Sequence, residues 1–68
     1  MSKLYSSKYI ISILEKNGFS FVSQKGSHTK YRKENRVVIV PHPKKEIPMG
    51  TFRSIVRQSG LDIKSFKP

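Results

Sequence analysis

The chain has 68 residues, too few for more than one domain, and no cysteine, which excludes disulfide staples and thiolate metal sites. A domain this small buries only about 60% of its unfolded surface, so its core is thin and any chemistry belongs on a surface or in a shallow groove. Fourteen lysines and arginines stand against four acidic residues, a formal net charge of +10, which implies a polyanionic partner, nucleic acid being the default.

Residues 1 to 6 read as a lead-in, with Ser6 or Ser7 placed to cap a helix. Ile10, Ile13 and Leu14 then fall at i, i+3 and i+4, which predicts a helix over about 7–17. Gly18 suits the left-handed position just beyond its end. No small-residue cleavage site follows the short apolar stretch, and no run approaches the roughly 20 residues of a membrane span. The expectation is a cytoplasmic protein without a membrane role. A basic amphipathic helix for an anionic membrane surface is also lacking, whereas an acidic protein partner would suit the charge.

Phe19 to Gln24 is short and aromatic, bounded by glycines, and reads as a first strand. Thr29 to Lys33 reads as a second, and Arg36 to Val40 (RVVIV) as a third; the tight link through Glu34 and Asn35 makes the last two a hairpin. Pro41-His42-Pro43-Lys44-Lys45 must be a loop, because two prolines remove donors and fix the backbone. A second helix opens between Pro48 and Thr51, carries Phe52, Ile55 and Val56 on one stripe and Arg53 and Arg57 on another, and ends at Gly60. Asp62 can cap a last turn through Phe66. The order α-β-β-β-α predicts an α+β fold: a three-stranded antiparallel meander with both helices on one face, the layout of double-stranded-RNA-binding domains. Fold alone does not fix function.

The other face of that sheet stays wet. If Tyr31 points to the helices, His28, Lys30 and Arg32 point away from them, at spacings of about 6–7 Å. The same pattern also describes a merely solvated cationic strand. Lys25, Gly26 and Ser27 lead into it: Gly26 allows a sharp turn and a close backbone approach to a phosphate, and Ser27 can donate a hydrogen bond. His42, Lys44 and Lys45 in the proline loop are further candidates for RNA contact. Arg53 and Arg57 read more simply as a solvated helix face.

Several chemistries are excluded by what is missing. Glu15, Glu34, Glu46 and Asp62 are scattered, with no pairing that suggests a two-metal clamp, and two histidines without acidic neighbours make a poor zinc site. There is no phosphate-binding glycine loop. Neither a metal nor a cofactor is therefore expected. RNA, however, carries its own nucleophile. A histidine can deprotonate a 2′-hydroxyl, and nearby cations can stabilise the charged transition state. That points to His28 as the catalytic base of a metal-independent ribonuclease that spares DNA. The alternative is a non-catalytic RNA-binding module on the same basic sheet face. A DNA-binding subunit fits less well, for want of a helix-turn-helix signal.

Gly26-Ser27-His28, the aromatic-basic strand after it, the helix ending Glu15-Lys16-Asn17-Gly18-Phe19, and VVIVPHPKKEIPMGTFRSIVRQSGL over 37–61 resemble the HicA toxins of bacterial type II toxin–antitoxin modules. The likeness runs from about residue 7 to 62. It implies that residues 1–68 are a single HicA-like toxin domain that cleaves messenger RNA, with His28 as the essential histidine. It implies a HicB-type antitoxin as partner, operator DNA being reached only through that antitoxin. Two positions depart from the family pattern: Thr29 stands where a second histidine is frequent, and Phe52 where leucine is common.

Overall fold

A computed structural model describes residues 4–68. The part of the lead-in formed by residues 1–3 lies outside the described residues. The element order is α1 (Ser7–Lys16), β1 (Ser20–Lys25), β2 (His28–Lys33), β3 (Arg36–Pro41), α2 (Met49–Ser59) and a closing 3₁₀ turn (Ile63–Phe66). The strands lie side by side in the order β1-β2-β3, each pair antiparallel. The fold class and topology expected from the sequence are those observed.

α1 begins where Ser6 accepts a hydrogen bond from the Tyr9 amide through its side chain, so Ser6 is the cap and Ser7 is free for another use. The helix ends in a Schellman arrangement. The Gly18 amide donates to Glu15 and the Phe19 amide to Leu14, with Gly18 at φ 93°, a conformation that a side chain would resist. Phe19 is buried against the turn it closes. This corrects the sequence reading of Phe19 as the first strand residue: the helix cap takes its amide, and β1 starts at Ser20.

The core consists of Ile10, Ile13 and Leu14 from α1, Tyr31, Val38 and Val40 from the sheet, Phe52 and Ile55 from α2, and Phe19, Ile47 and Phe66 from the connections. Phe66 is wholly buried and meets Phe52 edge-on, ring centroids 5.6 Å apart. The Tyr9 hydroxyl donates to the Phe66 carbonyl at 2.7 Å, tying the 3₁₀ turn to α1. Asp62 caps that turn, accepting from the Lys64 amide. The segment before α1 is clasped by the long loop: the Ile47 amide donates to the Tyr5 carbonyl and the Ser7 amide to the Lys44 carbonyl.

The helices cover β2 and β3 and leave β1 outside. Every residue of β1 is exposed, and Phe21 keeps about half of its surface in solvent although its ring meets Tyr31 edge-on. The ladder between β1 and β2 shifts register between Phe21 and Ser23, a β-bulge. The opposite edge is engaged at one point. Gln58 of α2 accepts the Ile39 amide at 3.0 Å through its side-chain oxygen.

Candidate functional site

Alternation along β2 divides its residues cleanly. Thr29 and Tyr31 are buried, and the Thr29 hydroxyl donates to the Val40 carbonyl at 2.8 Å. His28, Lys30, Arg32 and Lys33 are exposed. With Tyr31 in the core, His28, Lys30 and Arg32 share the face that no helix covers. Position 29, where the family frequently has a histidine, faces inward, so whatever stands there is on the other side of the sheet from His28.

Register places neighbours beside this row. His28 pairs with Lys25 on one side and Pro41 on the other, Lys30 with Ser23 and Ile39, and Arg32 with Ser20 and Val37. Cross-strand partners project to the same face. The open face therefore carries a cationic row bordered by serines along β1 and by an apolar row along β3. Its Arg32 is anchored at the hairpin, the Nε–H donating to the Glu34 carbonyl at 2.8 Å.

The turn into β2 has two residues, Gly26 and Ser27, between the paired Lys25 and His28. Gly26 sits at φ 58°, and a Cβ there would meet nothing within 4 Å, so the glycine serves the turn and leaves its outer side open. Ser27 contributes its carbonyl, which accepts the His42 amide at 2.8 Å. The Gly-Ser-His turn and the Pro-His-Pro loop are thus bonded to each other at one rim of the sheet.

His42 goes the other way. Its imidazole turns toward α1, where Nδ1 lies 2.7 Å from the hydroxyl of Ser7. Ser7 also accepts the Lys44 amide at 2.9 Å and is 1% exposed. The sequence reading ascribed the rigidity of His42 to its flanking prolines; the structure adds a side-chain tether to a helix 35 positions away. Lys44 and Lys45 are exposed on the same loop. Among the candidate RNA contacts, Lys25, Gly26, Ser27, His28, Lys30 and Arg32 thus form one group, and His42, Lys44 and Lys45 a second beneath the same rim. Arg53 and Arg57 belong to neither. Both are exposed on α2, and Arg57 donates to Ser54 of its own helix.

Among the described residues no group of three or more histidine, cysteine or acidic side chains is placed to hold a metal ion. No helix among them is long and apolar enough to cross a membrane. A family profile described as "HicA toxin of bacterial toxin-antitoxin" matches residues 7–61. The chain belongs to the HicA toxin family. The HicA match starts at the first residue of α1 and ends at Leu61, just past α2, so it takes in the open face, the rim turn and the proline loop together. Compared with curated proteins, this HicA chain has no significant match.

Proposed function

We propose that this HicA toxin is an endoribonuclease that cleaves messenger RNA without a metal ion, His28 acting as general base, and that a HicB-type antitoxin neutralises it. The observation that carries this reading is the exposure of His28 at the end of a cationic row, Lys30 and Arg32, on the uncovered sheet face. A single strand laid along that row brings a ribose to the imidazole and its phosphates to the cations. His28 takes the proton of the 2′-hydroxyl. The oxygen attacks the adjacent phosphorus, the bond to the 5′-oxygen breaks, and that oxygen takes a proton from water. The products are a 2′,3′-cyclic phosphate and a 5′-hydroxyl. Lys30 and Arg32 stabilise the charge that builds on the phosphorus-bound oxygens.

RNA incubated with the protein in excess EDTA is expected to be cut, and DNA of the same sequence spared. His28→Ala is expected to stay folded, since the side chain is in solvent, and to lose about 10²–10⁴-fold in rate. Equal cleavage by both proteins would assign the activity elsewhere. Undiminished RNA affinity with no cleavage in either would leave a binding module on the same face. An acidic antitoxin surface drawn by the same positive field would close the site. Co-expression with its antitoxin is expected to protect His28 from modification by an acylating reagent.

A further inference from the structure

The open sheet face does not use the second histidine, and the hydrogen bonds around that residue form a local site of their own. A hollow runs between the opening turn of α1 and the proline loop, lined by residues 6–8 and 42–45. Its lining holds three lysines, Lys8, Lys44 and Lys45, together with His42, and no carboxylate. The lysines are exposed, and His42 is half-buried at the wall.

The proton count at Ser7 decides what His42 offers to that hollow. The Ser7 oxygen receives the Lys44 amide at 2.9 Å, so its own single proton goes outward. Two acceptors are in reach: His42 Nδ1 at 2.7 Å and the Lys44 carbonyl at 3.1 Å. That carbonyl already receives the Ser7 amide at 2.9 Å. With the proton on the shorter contact, Nδ1 is an acceptor and the ring's own proton is on Nε2; with it on the Lys44 carbonyl, the ring proton is on Nδ1 and points at Ser7. Among the described residues nothing hydrogen-bonds to Nε2.

We infer that this hollow is a second phosphate subsite of the toxin. The geometry assigns His42 Nε2–H and the ammonium groups of Lys8, Lys44 and Lys45 to an RNA phosphate next to the one at His28, with Ser7 as the positioning residue that holds the His42 tautomer. This rests on the ribonuclease reading for the identity of the ligand. The two subsites are neighbours in the chain fold. His28 pairs with Pro41, the residue before His42, and the Ser27 carbonyl holds the His42 amide. The two imidazoles leave the rim on opposite sides, so a bound strand crosses the rim, with the reacting ribose on the open face and the next phosphate in the hollow. His42 binds substrate there without touching the reacting atoms.

The test is a binding measurement that needs no cleavage. The probes are a 2′-O-methyl dinucleotide with one phosphodiester and the same molecule with an added phosphate at its 5′ or its 3′ end. In the wild type, one of the two added phosphates is expected to tighten binding about tenfold. His42→Gln and Ser7→Ala are expected to lose that gain, Ser7→Thr to keep it, and His28→Ala to keep it. Long-range ¹H–¹⁵N spectra of the histidines are expected to show the proton of His42 on Nε2 in the wild type and Ser7→Thr, and a tautomer mixture in Ser7→Ala. No gain from either added phosphate overturns the subsite, as does a gain that survives His42→Gln. A gain lost only in His28→Ala reassigns the phosphate to the open face. Cleavage that survives His28→Ala would sink the catalytic assignment while leaving the binding comparison intact.

Discussion

Tyr31 sends its ring into the core from the same strand whose alternate residues face solvent. Burial pushes its ionisation above the ordinary tyrosine value; the nearby Thr29 hydroxyl lowers it in part, and the negative charge of Glu15 raises it. The folded state therefore resists losing this proton more than the unfolded chain does. Stability linked to Tyr31 is fully present below about pH 10 and is lost as pH rises through the raised value. Urea titrations at pH 9 and pH 11 should show a smaller alkaline loss in Tyr31→Phe than in the wild type. Equal losses would mean that the ring ionises as freely in the fold as outside it. At this scale the sequence was legible wherever a period of two applied: the alternation of His28, Lys30 and Arg32 with Thr29 and Tyr31 needs no tertiary knowledge. The tether between Ser7 and His42 was not legible. The two residues are 35 positions apart and no local pattern joins them.

The β2–β3 hairpin closes on Glu34 and Asn35, between the paired Lys33 and Arg36. Glu34 stands at φ 55°, the one positive φ among the described non-glycine residues. In the Gly26-Ser27 turn the same position is filled by glycine, which adopts that conformation without strain. Glu34→Gly is expected to stabilise the protein by about 0.5–1 kcal/mol, because relief of the left-handed penalty exceeds the added freedom of the unfolded chain. Thermal melting should show the midpoint rising by roughly 3–6 °C. An unchanged or lowered midpoint would mean that the Glu34 side chain contributes something the turn geometry does not reveal. The elements themselves were readable to within about a residue, and the misplaced end is instructive. Phe19 looks like a strand residue by composition, but its amide closes the helix and its ring fills the core. A Schellman ending and a strand start compete for the same few residues, and only the hydrogen bonds show which takes them.

Across the whole molecule, part of the excess positive charge lies on the open sheet face and on the proline loop, and the rest is spread over other surfaces. If Lys25, Lys30, Arg32, Lys44 and Lys45 all neutralise phosphates, the log–log dependence of RNA affinity on salt should have a slope of about −3.5, or about −0.7 for each contact. A flat response would assign the charge to a protein partner. The α-β-β-β-α order was legible because each element carries its own period and each break its own glycine or proline. The family followed from motifs at fixed spacing. The direction in which His42 turns was not legible, because it is set only once the proline loop has met α1.

The outer strand has a consequence for how copies of the toxin meet. β1 offers one side of its backbone, with Phe21 and Val22 each about half in solvent, and such an edge is a template for a strand from another chain. Two features work against that union. The bulge between Phe21 and Ser23 breaks the even repeat that a second strand would need, and two approaching copies each carry a charge of +10. Ionic strength weakens only the second. Concentrated salt therefore removes the mutual repulsion that opposes pairing at this edge and leaves the bulge as the obstacle that remains.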